Sequence, residues 1–173
     1  MKKPLLWFAL ALSLQILILV GVPAQKIYTR ATGRSVILKV APVDPYSILS
    51  GYYVTLGYEL NRPTALLGEK LPVSGTTVYT VVEQSSDGLW QPVEVTTSLP
   101  QALPGNRAFL RGRYTGWQIE YGIENFYIPE TQREAVAEDL LKHPDKARVE
   151  IKVDRSGNAA LVRLIIEDRV YEN

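Results

Sequence analysis

The stretch from Ala147 to Ile166 reads ARVEIKVDRSGNAALVRLII and has the clearest two-residue periodicity in the chain. Apolar residues alternate with other residues on both sides of a Ser156–Gly157 pair, a pattern typical of two antiparallel strands joined by a tight turn. A turn centred on that pair predicts apolar cross-strand partners, namely Val149 with Leu164, Ile151 with Val162 and Val153 with Ala160. The charged side chains expected on the opposite, solvent-facing side are Arg148, Glu150 and Lys152.

Strand patterns also occur upstream, separated by proline, glycine and Asp-Gly or Ser-Gly pairs at short intervals. This spacing predicts a mainly β domain, either a β-sandwich or a partly open barrel of about eight strands. The expected strands cover residues 34–40, 51–60, 76–84, 89–95, 106–114, 117–123, 147–154 and 159–167.

A second hairpin is predicted around Thr115 and Gly116. If these two residues form the whole turn, Tyr114 faces Trp117 and Arg113 faces Gln118. Polar pairs then lie on one face of the hairpin and apolar pairs on the other.

One short helix is predicted after residue 130. Thr131 and Glu134 have the spacing of a capping box, and His143 with Pro144 ends the helical pattern. The helix is expected to close one end of the β core with its apolar stripe, which consists of Val136, Ala137, Leu140 and Leu141.

The N-terminal segment predicts a membrane span. The run from Leu5 to Val22 is apolar apart from Ser13 and Gln15, and it follows Lys2 and Lys3. As a helix it is about 27 Å long, close to the ~30 Å hydrocarbon core of a bilayer. Residues 1–24 are therefore expected to form an uncleaved transmembrane signal-anchor that contacts membrane lipid through residues 5–22. The alternative is a signal peptide cleaved after Ala24, which would release a soluble exported protein.

Residues 25–33 are expected to form a juxtamembrane linker, followed by one domain over 34–173. Positive charges are nearly balanced across the span, so charge alone does not orient it. Because long domains translocate largely regardless of charge, we expect a single-pass protein with its C-terminal domain outside the cytoplasm, in the periplasm or its equivalent.

The basic run Lys26, Arg30, Arg34 and Lys39 contains no acidic residue before Asp44. Two interpretations are open. The run is either a solvated part of the linker or a contact with anionic lipid headgroups, which attract such charges at a membrane surface.

Composition limits the possible chemistry. The chain has 19 basic and 18 acidic residues, no cysteine and one histidine, His143. Near-neutral charge gives no long-range field for nucleic acid. The absence of cysteine excludes thiolate chemistry, and a single histidine excludes a histidine-based metal site. No cofactor is therefore expected, and a non-enzymatic protein is favoured.

The segment from Asp44 to Leu60 reads DPYSILSGYYVTLGYEL, and a downstream block combines Arg111, Gly112 and Arg113 with YGIENFYIPE over residues 121–130. Together these blocks resemble the GDYXXLXY family. The family positions correspond here to Gly51, Tyr52, Tyr53, Leu56 and Tyr58, with Tyr52 where the family has aspartate. The resemblance implies a membrane-anchored β-rich domain, often encoded near multi-pass membrane proteins, with no established activity.

Candidate binding residues come from these two blocks. Aromatic and acidic side chains there could line a groove for a glycan or another small molecule, and two carboxylates could act as acid and base. The alternative is that the tyrosines are core residues and the acids stabilise a helix terminus or pair with arginine. The candidates are Tyr53, Tyr58, Arg111, Arg113, Tyr121, Glu124 and Glu130.

Two functions from different classes follow. The first is a non-enzymatic membrane-anchored module, an accessory or assembly subunit that docks on a multi-pass membrane protein. The second is a small-molecule or glycan-binding site, possibly hydrolytic, lined by tyrosine and glutamate.

Overall fold

A computed structural model of the full chain describes residues 2–41, 49–50, 53–62 and 71–172. The expected fold class is confirmed, because the described residues form a mostly β domain with one long N-terminal helix and one short helix. Gly51, Tyr52 and the proline-containing stretches at 42–48 and 63–70 lie outside the described residues.

The N-terminal helix α1 (Lys2–Thr32) is longer than the predicted span. Its segment Trp7–Thr32 is long and apolar enough to cross a membrane. The 18 residues of this segment with the highest mean hydropathy, 2.1, are not buried against the rest of the described chain. Residues 25–32, expected as a linker, continue the same helix. The span and the domain are therefore joined by helical backbone, and Gly33 alone separates α1 from the first strand.

The strands form two sheets among the described residues. The large sheet has nine strands. It is a mixed sheet, because β1 and β6 run parallel at Leu38 and Trp90 whereas the other strand pairs are antiparallel. Its order is β12-β11-β10-β1-β6-β5-β7-β8, and β4 pairs with the end of β1. The small sheet has the order β2-β3-β9. The strands are β1 (Arg34–Ala41), β2 (Leu49–Ser50), β3 (Tyr53–Thr55), β4 (Gly57–Tyr58), β5 (Thr77–Gln84), β6 (Trp90–Thr96), β7 (Arg107–Tyr114), β8 (Ile119–Glu120), β9 (Asn125–Tyr127), β10 (Ala147–Val153), β11 (Ala159–Ile166) and β12 (Arg169–Glu172).

The hairpin of β10 and β11 is confirmed, with a different register near its turn. Val149 faces Leu164 as predicted, but a β-bulge between Glu150 and Ile151 moves Ile151 opposite Leu161 and Val153 opposite Ala159. The cause is the turn, since the Asp154 side chain accepts the backbone N–H groups of Ser156 and Asn158, at 2.9 and 3.0 Å. This closes a five-residue loop from Asp154 to Asn158 instead of a two-residue turn.

Glu150 was expected to face solvent, and this prediction is wrong. Its side chain is buried, accepts a hydrogen bond from the Ser35 hydroxyl of β1 and pairs with Arg163 of β11 at 2.5 Å. The hydrogen bond from Ser35 is the main cause that lowers the pKa of Glu150, against an opposing effect of burial. The ionised Glu150 side chain of β10 thus links the neighbouring strands β1 and β11.

The β7–β8 hairpin also has a longer turn than predicted. Tyr114 faces Ile119 and Arg113 faces Glu120, so four residues connect the strands. Thr115 causes this, because its backbone N–H donates to the Gln118 carbonyl at 2.8 Å and its hydroxyl donates to the same oxygen at 3.0 Å. Since the shift is two residues, each residue stays on its predicted face.

The strand predicted over 51–60 changes sheets. Strand β3 pairs with β9, whereas β4 pairs with β1, and Leu56 lies between the two. A short 3₁₀ turn, Glu59–Asn61, follows. Burial alternates through this segment, with Val54, Leu56, Tyr58 and Leu60 all in the core.

Helix α2 (Arg133–Lys142) is confirmed, without the predicted capping box. Thr131 lies in a 3₁₀ turn, Glu130–Gln132, and the α-helix is capped by Gln132 with no side-chain hydrogen bond. The helix buries Val136 and Leu140 against the core. Asp139 fastens it to β12 by accepting hydrogen bonds from Arg169 at 3.0 Å and from the Tyr171 hydroxyl at 2.6 Å.

Candidate functional site

A polar cluster joins the two aromatic blocks of the sequence; it consists of buried Tyr58, Asn61 and Tyr121 with half-buried Glu124 and is called the tyrosine–glutamate network below. The Glu124 carboxylate accepts the backbone N–H groups of Tyr121 and Gly122, at 2.6 and 2.9 Å, and the Asn61 amide at 3.3 Å. Glu124 therefore binds backbone, and the alternative in which it pairs with Arg111 or Arg113 is wrong.

Asn61 connects the network to both blocks. Its amide oxygen accepts the backbone N–H of Tyr58 at 2.8 Å, and its amide nitrogen donates to the Ile119 carbonyl at 2.8 Å. The backbone of the two blocks is also joined directly, because the Leu56 N–H donates to the Glu124 carbonyl at 2.7 Å. The motif segment and the downstream block thus hold each other in place.

Both tyrosine hydroxyls of the network donate their hydrogen to a backbone carbonyl inside the protein. Tyr58 donates to the Ile123 carbonyl at 2.8 Å. Tyr121 donates to the Leu60 carbonyl at 2.9 Å and, with its one hydrogen used there, accepts from Thr80 at 2.6 Å. Such paired hydroxyls stabilise a buried core without offering a free group to a ligand.

Burial keeps these hydroxyls protonated. It raises the pKa of Tyr58 well above its ordinary value, and the negative charge of Glu124 adds to the effect. Burial likewise raises the pKa of Tyr121, although the hydrogen bond with Thr80 lowers it in part. Both side chains are therefore hydrogen-bond donors at any physiological pH, and the arrangement acts as a clamp between the two blocks.

Gly112 of β7 makes room for the Tyr121 ring. A Cβ at this position would lie 2.4 Å from Cγ2 of Ile119 and 2.9 Å from Cε1 of Tyr121. Both neighbours are buried, and the Tyr121 hydroxyl is fixed by its hydrogen bonds. The glycine between Arg111 and Arg113 thus has a packing function.

The other candidate residues lie outside the network. Tyr53 of β3 is half-buried and packs against exposed Tyr127 of β9, with ring centroids 5.9 Å apart. Arg111 and Arg113 are exposed on β7, and Arg113 lies 3.6 Å from Glu120. Glu130 is exposed in the 3₁₀ turn before α2. The ligand-binding role of all seven candidates stays a prediction, and the contacts of Tyr58, Tyr121 and Glu124 favour a structural role for these three.

A second polar cluster joins α1 to the β domain; it is formed by Thr29, Asp154 and Asn158 and is called the helix junction below. Thr29 is 1% exposed, and its hydroxyl donates to Asp154 Oδ2 at 2.8 Å. The Asn158 amide donates to the same oxygen at 3.0 Å. The helix therefore ends against the β10–β11 turn, held by a side chain that also shapes that turn.

Gly33 allows this close approach. Its N–H donates to the Thr29 carbonyl at 2.9 Å, and a Cβ there would lie 2.5 Å from that oxygen and 2.9 Å from the backbone nitrogen of Val153. Burial of Asp154 opposes its ionisation, but the hydrogen bonds from Asn158, Thr29 and Ser156 outweigh this effect and lower its pKa. The junction is thus built around an ionised carboxylate.

The comparison with protein families matches the model described as GDYXXLXY protein over residues 15–164. The chain belongs to the GDYXXLXY family. The match includes most of α1, both network blocks and most of the β10–β11 hairpin. Neither a curated protein nor a solved structure matches the chain.

The network gives part of the GDYXXLXY signature a physical meaning. Leu56 and Tyr58, two of the family positions, are core residues that contact the downstream block through backbone and hydroxyl hydrogen bonds. Tyr53, a third position, lies instead in the small sheet. The described residues contain no group of three histidine or acidic side chains placed to hold a metal ion.

Sequence reasoning missed Asn61, Thr80, Thr29 and Asp154. Asn61 bonds to the Ile119 carbonyl and Thr80 to the Tyr121 hydroxyl, at least 41 positions away in the chain, and a local pattern carries no signal for such pairs. Asp154 did carry a signal, because an aspartate two residues before a Ser-Gly pair commonly binds its own turn.

Proposed function

We propose that this GDYXXLXY protein is a non-enzymatic, membrane-anchored module that works outside the cytoplasm as an accessory or assembly subunit and docks on a multi-pass membrane protein. The observation that carries the proposal is the helix junction. It supports a domain held at a fixed height and angle above the membrane, which suits recognition of a partner fixed in the same bilayer.

The junction reduces the entropic cost of docking. A flexible linker would leave the domain free to sample many orientations, and binding would have to remove that freedom. Here α1 runs without a break from the apolar span to Thr32, and Thr29 is buried beneath Asp154. The relative orientation of span and domain is therefore set before any partner arrives.

The span itself offers a second contact surface. Trp7, Leu14, Leu17 and Leu19 are among its exposed apolar side chains, each at least 55% exposed in the described chain. In a bilayer such a surface faces lipid or packs against other transmembrane helices. A partner with several spans can contact the helix and the domain together.

The side of the membrane is part of the proposal and rests on the size of the domain that follows the span. Lys2 and Lys3 on one side of the span are nearly balanced by Lys26, Arg30 and Arg34 on the other, so charge alone does not orient it. A long domain translocates largely regardless of its charge. We therefore place the β domain outside the cytoplasm.

Photocrosslinking in intact cells tests this proposal. A photoreactive residue would replace Leu17 in the span or Tyr127 on the small sheet, with Arg148 at an exposed position of β10 as the comparison position. Docking predicts that Leu17 and Tyr127 crosslink to the same protein and that this protein has several transmembrane spans. A set of crosslinks only to lipid or to unrelated proteins would contradict it.

A matched variant tests the role of the junction. A flexible insertion of six glycine and serine residues after Thr32 leaves both the span and the domain intact. We expect it to reduce the yield of the Tyr127 crosslink strongly, while the Leu17 crosslink persists. Equal yields with and without the insertion would show that a fixed orientation is not needed.

A further inference from the structure

A cavity of about 440 Å³ opens beside the C-terminal end of α1, and arginine side chains are its main charged lining. Arg34, Arg107 and Arg155 line it together with Asp154, while Leu103 and Phe109 contribute apolar surface. It is called the arginine cavity below. Thr32, the last residue of α1, is also part of the wall, so the cavity is next to the point where the helix meets the domain.

The cavity borders the membrane surface. The apolar run of α1 ends at Val22, and Tyr28, an exposed aromatic residue, lies six positions further along the same helix, about 9 Å beyond the run. Aromatic side chains of this kind mark the interface between a membrane span and water. Thr32 is four residues beyond Tyr28, about 6 Å further along the helix, so the cavity lies next to the interfacial layer that Tyr28 marks.

The arginines are not equally engaged. Arg107 is paired with Glu83 at 2.8 Å, and Arg34 donates to the Arg107 carbonyl at 3.2 Å while its guanidinium stacks on Trp90 at 4.6 Å. Arg34 keeps further N–H groups for a ligand, because a guanidinium has five. No hydrogen bond or ion pair within the described residues involves the exposed Arg155 guanidinium.

The charge of the lining selects the ligand. Asp154 and Glu83 compensate two of the three arginines, and Asp154 is already saturated by hydrogen bonds from Thr29 and Asn158. One positive charge remains, with the free donors of Arg34 and Arg155 around it. A phosphate group bearing one negative charge matches this set, because guanidinium binds phosphate through paired N–H donors.

We propose that the arginine cavity binds a phosphate group, supplied by an anionic phospholipid of the adjoining leaflet rather than by a soluble phosphate ester. The arginines hold the phosphate, and Leu103 and Phe109 contact the glycerol beside it. A bound lipid thereby becomes part of the surface around the helix junction. This inference requires α1 to lie in a bilayer and is independent of the docking partner.

Native mass spectrometry of the full chain tests the lipid site. The protein, released from a neutral detergent, would be titrated with phosphatidylglycerol and with zwitterionic phosphatidylcholine. We expect retention of one phosphatidylglycerol at concentrations where phosphatidylcholine is lost. Equal retention of the two lipids would overturn the proposal.

Three variants locate the site. Arg155→Gln removes an exposed side chain and is expected to weaken phosphatidylglycerol binding about fivefold, the effect of one arginine near an anionic lipid. Ala102→Glu adds a carboxylate to the lining and is expected to abolish retention. Arg148→Gln is the matched control, since Arg148 is exposed at the opposite end of β10 from the junction, and should bind as the natural protein does. Unchanged binding by Arg155→Gln would contradict the site.

Inorganic phosphate separates the two sources of the ligand. Calorimetric titration of the detergent-solubilised chain with phosphate is expected to give no binding in the range where phosphatidylglycerol is retained. Binding of phosphate with the same affinity as the lipid, and its loss in Arg155→Gln, would assign the cavity to a soluble phosphate compound and overturn the lipid assignment.

Discussion

Replacing Gly112 by alanine is expected to destabilise the β domain by disturbing the tyrosine–glutamate network. The new Cβ would lie 2.4 Å from Cγ2 of Ile119, although carbon atoms in contact prefer about 3.5–4.0 Å. Neither neighbour can move freely, because Ile119 is 0% exposed and Tyr121 is 7% exposed with both hydroxyl partners fixed.

Two effects add to the expected cost. Overpacking of a well-filled core costs about 1–3 kcal/mol. If Tyr121 shifts to relieve the contact, the Leu60 carbonyl and the Thr80 hydroxyl lose their partner, which costs about another 1–3 kcal/mol. We therefore expect Gly112→Ala to lower the free energy of unfolding by about 2–6 kcal/mol, a large part of the ~5–15 kcal/mol of an ordinary domain.

The matched control is Gly105→Ala. A Cβ at Gly105 meets no atom within 4 Å, so this variant should change the free energy of unfolding by less than about 0.5 kcal/mol. Guanidinium unfolding of the full chain in detergent micelles, followed by tryptophan fluorescence, measures both. A double variant with Ile119→Ala, which removes the clashing methyl group, should cost less than the sum of its single changes. Equal stability of the two glycine variants, or strict additivity in the cycle, would refute the packing role of Gly112.

Three further predictions concern the hydrogen bonds of the core and the junction. Tyr121→Phe should lower the free energy of unfolding by about 1–3 kcal/mol, whereas Tyr127→Phe on the exposed strand face should change it by less than about 0.5 kcal/mol. Equal effects of the two variants in the same unfolding assay would show that the buried hydroxyl is not stabilising. Thr29→Val should destabilise the helix junction by about 1 kcal/mol and increase amide hydrogen exchange at residues 26–33. The control is Thr32→Val, on the exposed side of the helix, in which hydrogen exchange should not change. The folded-state pKa values of Asp139 and Glu150 are lowered, chiefly by hydrogen bonds from Tyr171 and Ser35 respectively. Each ionised carboxylate therefore stabilises the folded state at a pH above its unfolded pKa of about 4, and this stabilisation is lost as the pH falls through the lower folded-state pKa. The unfolding temperature should therefore be flat from about pH 7 to pH 5 and fall below about pH 4, and an Asp139→Asn, Glu150→Gln double variant should show a shallower fall.

The sequence predicted the elements of the fold well because burial and local propensity leave a periodic pattern. The alternation from Ala147 to Ile166 identified β10 and β11, and the apolar stripe after residue 133 identified α2. Strands β1, β5, β6 and β7 followed from the same rules, with ends displaced by one residue, whereas the strand predicted over 51–60 is divided between two sheets and the one predicted over 117–123 is reduced to Ile119–Glu120.

Turn lengths were less predictable because individual side chains determine them. Asp154 and Thr115 each bond to the backbone of their own turn and lengthen it, to five and four residues respectively. A rule based on the two residues most favoured in a tight turn does not include these side-chain bonds. The bulge between Glu150 and Ile151 is the consequence in the β10–β11 register.

The pairing between distant segments could not be inferred from the sequence. Strand β3 pairs with β9 across more than 60 residues, and β9 itself is only three residues long. The sequence identified Tyr58, Tyr121 and Glu124 as residues of interest, but their mutual contacts depend on Asn61 and on the folded backbone. Their chemical environment, and hence their structural role, became visible only in three dimensions.

Cysteine labelling tests most directly whether one N-terminal helix anchors a domain outside the cytoplasm. The chain contains no cysteine, so a single introduced thiol gives a signal without background. Asp168→Cys lies in the exposed turn before β12, and Lys3→Cys lies ahead of the span. With a membrane-impermeant maleimide on intact cells, we expect Asp168→Cys to be labelled at once and Lys3→Cys only after permeabilisation. The reverse pattern would contradict the proposed topology and, with it, the choice of partner.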